Sequence, residues 1–440
     1  MPSRTNEAVR VAVLADSDTR WKWGALTARR ITPEGRSIEL SGYLLRGRAT
    51  PTARQLAEVG AEAETREVTG TAFLQMLREQ EYDLVVLALV GGAVQAMLHG
   101  IAALDLEDRP AIVTGYVGVV YEKLSDGLLL RHGADIVLAN SRYDGQRFRA
   151  VYEGVGADAS SVTEAALPFL GGERYVPEEG RDTVVFAAQP SVPANRADRS
   201  YLLKRLVEHA RLHPRREVLL KLRSKIGEHT THVEEFPYQR LAEKVPGGLP
   251  PNFKLVYGNM GEVLDRTDLL VTVSSTAALE ALHRRIPTAI LTDLGVREPL
   301  GNHHFIGSGC LASWDQLDGG GRPKADAVWA DRQGVAADGS YSSSFDQARK
   351  RVAKLLDGPV LPPLDPYYTA TTAPGYLPGL LARYHLAADG TSLPSAAKAA
   401  SGGSGSVRRV VREAVRGAAR GAYRHGVQRV APVIRRMGDL

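Results

Sequence analysis

Two successive doubly wound α/β domains are what this 440-residue sequence predicts, and three observations carry the expectation. Short apolar runs of strand length alternate strictly with helical stretches, the pattern of a mostly parallel sheet covered on both faces. A polar, turn-rich break over residues 168–180 interrupts that alternation, which starts afresh at Thr183. Residues 267–293 then spell a complete βαβ unit: an apolar run to Val273, the small hydroxylated residues Ser274-Ser275-Thr276, an alanine-rich helical stretch, and a second apolar run opened by Pro287.

The first strand covers 9–15 and ends in Asp16-Ser17-Asp18, ahead of Thr19-Arg20-Trp21-Lys22-Trp23-Gly24 and a helical run to Arg30. In a parallel α/β sheet the carboxyl ends of strands face the ligand crevice, so Asp16, Asp18, Arg20 and Lys22 are crevice candidates. The alternative is that Asp or Ser here only caps the following helix. Trp21 and Trp23, two residues apart, do not share a helix face, which predicts a loop that presents at least one of them. Strands follow over 38–45, 84–90, 111–114 and 135–139, with helices over 50–59, 71–81, 93–99 and from the Ser141 cap to Glu153. Gly115-Tyr116-Val117-Gly118 leads into a helix holding Glu122, Lys123 and Arg131.

The second domain opens with a strand over 183–188 that ends in Gln189-Pro190-Ser191, then a helix over 201–212 and a strand over 217–222. Lys221 is a charge inside an apolar strand. It is either paired within the domain or aimed at a bound anion, and Arg223 follows directly. A strand over 254–256 and a helix over 260–266 precede the βαβ unit. Ser and Thr are good N-cap residues, and a helix N-terminus presents free N–H groups with partial positive charge, so the turn at 274–276 suits a phosphate. Glu280, about a turn further on, is either a solvated or salt-bridged helix residue or a carboxylate that takes ribose hydroxyls. Beyond lies a glycine-rich loop with His303 and His304. Adjacent histidines point in different directions and make a poor metal pair; either one of them reaches a phosphate or both are surface residues. His229 and His232 have helical spacing but no third ligand nearby.

A helix over 344–356 is expected to close the second domain, and the proline- and tyrosine-rich stretch 359–378 reads as a strap that crosses over without entering a core. Residues 391–406 are rich in Ser, Gly and Ala, as flexible linkers are. The divisions are therefore 1–170, a linker at 171–181, 182–358, strap and linker at 359–405, and a tail at 406–440.

Composition bounds the class. With 44% hydrophobic and 24% charged residues the chain reads as a soluble globular protein with room for two or three cores. Cys310 is the single cysteine, which excludes an internal disulfide or thiolate cluster and predicts a reducing, cytoplasmic setting. The polar start predicts no secretory signal, and no apolar run nears the roughly 20 residues of a membrane span. The net charge of +5 divides unevenly. Residues 406–440 hold nine arginines against Glu413 and Asp439, a local +7, which leaves −2 for the body. A nucleic-acid partner is therefore not expected of the folded part. Arg412, Arg416, Arg420 and Arg424 recur every four residues beside a thin strip of valine and alanine, the pattern of a basic amphipathic helix. Its expected partner is an anionic membrane surface, which would make the protein peripheral on the inner face of the plasma membrane; docking on an acidic patch of the body, or disorder, are the alternatives.

On these residues the second half resembles the nucleotide-binding domain of GT-B glycosyltransferases. The nearest groups are the capsule and teichoic-acid polymer transferases and an uncharacterised family classed as glycosyltransferases. The resemblance is carried by Asp268 to Leu270, Ser274-Ser275-Thr276, Glu280 and Pro287, with Phe186 through Pro190 and Lys221 behind them. Asp16-Ser17-Asp18 with Lys22-Trp23, and the run from Gly115 through Tyr121-Glu122-Lys123 to Asn140-Ser141, resemble the first half of the latter family. The resemblance spans roughly residues 8–360. It implies two Rossmann-like domains facing a cleft, and a nucleotide-sugar donor used without a metal or other cofactor. It also implies an unknown glycan or small-molecule acceptor, in cell-surface glycan or glycoconjugate synthesis. Ser275 and Thr276, beside Ser274, would grip the donor diphosphate and Glu280 the ribose; Lys221 or Arg223 would offset the diphosphate charge, with Gln189 and His304 lining the donor site. Asp18, with Asp16 in reserve, would deprotonate the acceptor of an inverting reaction. The polymer transferases place a His-Pro pair after their lysine strand, where this chain has Leu222-Arg223-Ser224, so the nucleotide and a polymer-type acceptor stay open. A nucleotide-sugar epimerase of the same architecture, or a membrane-recruited nucleotide-binding scaffold without catalysis, are the competing readings.

Overall fold

The computed structural model describes residues 8–47, 49–60, 64–119, 124–226, 228, 234–335 and 340–393. Two parallel sheets form, because each apolar run is buried on both faces and each connection is a helical crossover. The first domain runs β1 (Val9–Ala15), α1 (Asp18–Ile31), β2 (Ile38–Leu45), α2 (Ala53–Val59), β3 (Thr65–Val68), α3 (Gly70–Glu79) and β4 (Leu84–Ala88). It continues with α4 (Gly91–Ala102), β5 (Ala111–Gly115), α5 (Leu124–Leu129), β6 (Ile136–Ala139), α6 (Arg142–Gly154) and β7 (Val162–Glu164). Its strand order is β3-β2-β1-β4-β5-β6-β7, all parallel, with Ala15 beside Leu44 on one flank and Ala88 on the other.

The second domain runs β8 (Thr183–Ala187), α7 (Arg196–Leu212), β9 (Glu217–Lys221), α8 (Tyr238–Ala242), β10 (Phe253–Val256) and α9 (Met260–Leu264). Then come β11 (Leu269–Thr272), α10 (Ala277–His283), β12 (Thr288–Leu291), β13 (Leu311–Ala312), α11 (Trp314–Asp318) and α12 (Ala327–Arg332). Its order, β10-β9-β8-β11-β12-β13, repeats that of the first. Both sheets therefore reverse strand order at one place, between β1 and β4 and between β8 and β11, and a crevice opens at each reversal. Together they have the GT-B architecture.

Three short edge strands, β3, β7 and β13, extend the sheets beyond the expected elements. Their 4, 3 and 2 residues are too few to carry a periodicity. The tryptophan expectation is corrected. Trp21 and Trp23 both lie on α1, and both are buried. Gly24 lets the helix settle onto the sheet, since a Cβ there would stand 2.6 Å from Val13 Cγ1 and 2.9 Å from Ala88 Cβ. From that close seat Trp21 reaches over Gly42 of β2 and Trp23 over Gly115 of β5, so one helix buries both of its flanks.

The domain division at 358 is also corrected. After α12 the chain returns to the first domain: α13 (Asp346–Leu356) packs on α1, β5 and β7, with Phe345, Ala348 and Val352 buried beside Trp21. The stretch read as a strap, 359–378, is mostly exposed but is anchored in the core at Leu364 and Leu377, and the residues that follow it go further in. Leu364 and Leu386 are buried in the cluster on the other face of the first sheet, as are Leu377, Leu380 and Leu381 of α14 (Leu377–Ala382). The Arg109 guanidinium, bonded at 2.8 Å to each oxygen of Asp135, also donates to the Pro362 carbonyl and fixes the start of this return. The stretch expected as a linker is ordered too, with Tyr175 N–H on the Arg284 carbonyl at 2.6 Å and Arg284 Nε on the Gly171 carbonyl at 2.7 Å. The expected tail helix at 406–440 and its flexible approach from 394 lie outside the described residues, as do Glu122, Lys123, His229 and His232. No helix among the described residues is long and apolar enough to cross a membrane.

If the return segment is core, Leu381→Ala should cost about 2–5 kcal/mol of unfolding free energy, the range for a buried leucine left as a cavity. A strap lying on the surface would lose no more than about 0.5 kcal/mol. Urea denaturation followed by circular dichroism separates the two.

Candidate functional site

At each strand-order reversal a backbone N–H beyond the sheet edge needs an acceptor, and a side chain at the neighbouring strand end supplies it. In the first domain Asp16 Oδ2 accepts from Val90 N–H at 3.0 Å, while Oδ1 pairs with Arg20 at 2.9 Å. In the second, Gln189 Oε1 accepts from Ser274 N–H at 3.0 Å and from its hydroxyl at 3.2 Å, and that hydroxyl also lies 2.5 Å from the Leu300 carbonyl. Asp16, Gln189 and Ser274 are thus brought into equivalent framing positions, with their polar atoms turned into the protein. Ser17, the residue between the two aspartates, is the cap of α1.

Two residues beyond Asp16, Asp18 faces the other domain. Arg223, just past β9, donates to Asp18 Oδ1 at 2.6 Å and to Thr19 Oγ1 at 2.6 Å. Arg54 of α2 bonds Glu228 at 2.6 Å, a second ion pair between the lobes. Around this seam the structure gathers further charges. Lys221, buried at the end of β9, donates to the Leu222 carbonyl at 2.8 Å. Burial pulls its ammonium down to about 8, with Glu58 and Glu280 resisting and Arg223 and Arg54 assisting. Glu280 of α10 is buried as well. Loss of hydration raises its carboxyl above the ordinary 4.5, and Lys22, Arg284 and Lys221 draw it back. Lys22 also points its ammonium at the Phe169 ring, 5.2 Å from the centroid. Asp18, Arg223, Lys221 and Glu280 therefore share one seam between the lobes. Lys22, a crevice candidate from the sequence, joins them, as does Glu58, which the sequence reading did not single out.

The turn at 274–276 sits in the same seam, for Thr276 faces Gly118 of the first domain. A Cβ on Gly118 would stand 2.7 Å from Thr276 Oγ1. Its backbone differs from the expected cap. Thr276 is already helical and makes no capping bond; Ser275 does that work, its Oγ accepting from Ala277 N–H at 3.2 Å. Ala278 and Leu279 bond back to Ser275 and Thr276, and Ser275 N–H meets Thr272 Oγ1. Most of the N–H groups expected to face a phosphate are spent inside the turn. An anion here must rely on the neighbouring cations more than on backbone donors.

His304 belongs to a different group. It lies edge-on to Tyr143 of α6 at 5.9 Å and to Trp329 of α12 at 5.9 Å, and burial with the nearby Arg147 and His303 lowers its imidazole to about 4. Asp268, one of the family-like residues, is at the opposite end of β11, accepting from Thr183 N–H at 2.8 Å and pairing with Arg181 at 3.1 Å. Among the described residues one group has metal-like spacing, His209, His213 and Asp318. Its charges are internally matched: His209 Nδ1 meets Asp318 at 2.6 Å, Arg216 lies on Nε2 at 2.9 Å, and Arg205 adds to Asp318 at 2.9 Å. A guanidinium stands where a cation would have to approach.

A family described as "Putative glycosyltransferase (DUF6716)" matches residues 11–355. Among solved structures the chain is similar to a putative UDP-N-acetylglucosamine 2-epimerase from Listeria monocytogenes, with TM-score 0.50 and 12% identity over 79% of this chain and 96% of that one. It is similar also to the S. aureus MnaA-UDP co-structure, with TM-score 0.50 and 10% identity over 79% and 95%. The Arabidopsis thaliana UGT89C1 structure scores 0.45 at 10% identity over 79% and 97%. At these identities the likeness is one of fold. No curated protein matches the sequence.

The buried carboxyl of Glu280 gives a pH signature. Its raised pKa means that the folded protein holds a proton that the unfolded chain releases as pH climbs past 4.5, so its contribution to stability is lost as pH rises through the folded value. Glu280→Gln should therefore gain stability relative to the parent between pH 4 and pH 8, read as the difference in urea midpoints. A difference that is flat, or that falls with pH, contradicts the burial argument.

Proposed function

Because the chain belongs to the family described as "Putative glycosyltransferase (DUF6716)" and has the GT-B fold, we propose that it transfers a sugar from a nucleotide-activated donor to an acceptor held by the first domain. The observation that carries the reading is the seam itself: Lys221, Arg223 and Glu280 of the second domain converge there with Asp18 and Lys22 of α1. The donor pyrophosphate lies along Ser275 and Thr276 with Lys221, Lys22 and Arg223 around it, and Glu280 takes the ribose. As the bond from the anomeric carbon to the diphosphate oxygen breaks, these cations take up the charge left on the leaving group, and no metal is required for that step. The acceptor hydroxyl forms the new bond to the anomeric carbon and passes its proton to Asp18.

Arg223 links the two events. Without donor its guanidinium is held by Asp18 and Thr19, and a pyrophosphate offers it a stronger partner. Donor binding thereby releases the carboxylate that the acceptor needs. This order favours transfer over donor-only chemistry, since it frees a first-domain carboxylate for an acceptor. The arginine-repeat tail supports a separate attachment to anionic membrane from the cytoplasmic side, in keeping with a role in cell-surface glycan synthesis.

A panel of UDP, GDP, CDP, CMP and TDP species should contain one that raises the melting temperature, with a stabilisation of about 2.7 kcal/mol at a hundred times Kd. Glu280→Ala should lose that shift. Asp18→Asn should keep it and, in an assay run with chelator, lower kcat by about 10²- to 10⁴-fold. No shift from any nucleotide would end the donor-site reading. For the tail, flotation with anionic liposomes should carry the full chain and leave a form without residues 406–440 behind; equal partitioning would remove the membrane step.

A further inference from the structure

We propose that the aromatic end of the interlobe cleft is a subsite for a substrate sugar ring that carries an anionic substituent, a carboxylate or a phosphate. A cavity of about 250 Å³ opens there, lined by Tyr143 and Arg147 of α6 from the first domain and by His303, His304, Trp329 and Arg332 from the second. The volume is below the roughly 300–1,000 Å³ of sites that enclose drug-sized ligands, so it suits one ring and not a whole nucleotide sugar. In the first sheet's order, α6 follows the strand next to the one that ends at Gly115, close to Gly118 and the Thr276 turn. The inference rests on the glycosyl-transfer reading only for calling its ligand a substrate.

The lining dictates the chemistry. Beside Tyr143, Trp329 and His304 line the cavity with ring surface of the kind that packs against the C–H face of a sugar. Two guanidiniums sit over Tyr143, Arg147 at 5.2 Å and Arg332 at 5.8 Å from its centroid. Arg147 is shared with Asp144, 3.5 Å away, a buried carboxyl raised to about 6 by lost hydration and therefore largely ionised at neutral pH. The adjoining Arg142 and Asp331 cancel each other in an ion pair at 2.6 Å. Among the described residues Arg332 has no carboxylate partner. His304 is neutral at physiological pH, and the cavity keeps a net positive charge from Arg332. A planar guanidinium of this kind selects carboxylate and phosphate by paired N–H donors.

The test uses the protein's own fluorescence. Trp21, Trp23 and Trp314 are at most 1% exposed, so the half-buried Trp329 provides the emission that acrylamide can quench. Glucuronate or glucose 6-phosphate should protect that emission saturably, and the two arms tell carboxylate from phosphate. Glucose and inorganic phosphate at the same concentration should not protect, because ring and charge are both required. Arg332→Glu, an exposed change without folding risk, should weaken protection at least tenfold, and Arg332→Lys should restore part of it. The proposal is overturned if neither anionic sugar protects, if glucose or inorganic phosphate protects as well, or if Arg332→Glu binds like the parent. The nucleotide-induced melting shift reads the turn separately, so a failed subsite leaves that shift intact and a missing shift leaves the quenching result standing.

Discussion

A sheet whose strand order reverses must leave two neighbouring strand ends without crossover helices on the same side, and the N–H group beyond that gap has no ladder partner. The structure solves the problem twice with the same device. Asp16 at the end of β1 accepts from Val90, and Gln189 at the end of β8 accepts from Ser274, each at 3.0 Å. An unpaired N–H at the buried Ser274 would cost about 1–3 kcal/mol, so the Gln189 clamp is what permits a firm-edged crevice at the second reversal. It also sorts neighbouring residues by role. Asp16 and Ser274 are consumed in holding the frame, while Asp18, Ser275 and Thr276, one or two residues further on, are carried past the edge into the seam between the lobes.

That seam buries both an ammonium and a carboxyl group, Lys221 and Glu280. Burying an ammonium and a carboxylate is unfavourable even when each feels the other, because hydration lost by both outweighs their attraction unless hydrogen bonds complete the set. Lys221 bonds a carbonyl, and its lowered ammonium and the raised carboxyl of Glu280 record the shortfall. A ligand that brings two negative charges to Lys221 and hydroxyl groups to Glu280 would remove it, which gives the arrangement a physical purpose beyond folding.

The sheets were legible from the sequence because their central strands are apolar throughout and their helices fill the intervals. The first strand, over 9–15, and the helix ending at Leu212 needed no tertiary information at that level. What escaped was set by contacts between distant segments. Trp21 and Trp23 looked incompatible with one buried helix until Gly24, Gly42 and Gly115 proved to make room on both flanks. The return of α13 and α14 to the first domain was hidden because their leucines and valines state that they are buried without stating against what. In the site, Lys221 and Glu280 were legible as charges in apolar surroundings, and Asp18 as a strand-end carboxylate. Its bond to Arg223, 205 residues away, was not, and neither was the loss of backbone donors at the Thr276 turn, which depends on Ser275 taking over the cap.

The two ends of the cleft differ in a way that the proposed transfer would use. At the β1 and β9 end the donors are ammonium and guanidinium groups beside a buried carboxyl, chemistry suited to the compact, highly charged pyrophosphate of the proposed donor and less to a sugar ring. At the α6 and α12 end there are three aromatic rings and a guanidinium on an otherwise balanced surface, chemistry suited to the ring and single charge of the proposed subsite. Thr276 against Gly118 stands between them, and the absent side chain of Gly118 is what lets the lobes meet there. A larger residue at that glycine would hold the lobes apart at the place where, under the proposed transfer, the two kinds of chemistry act on one substrate.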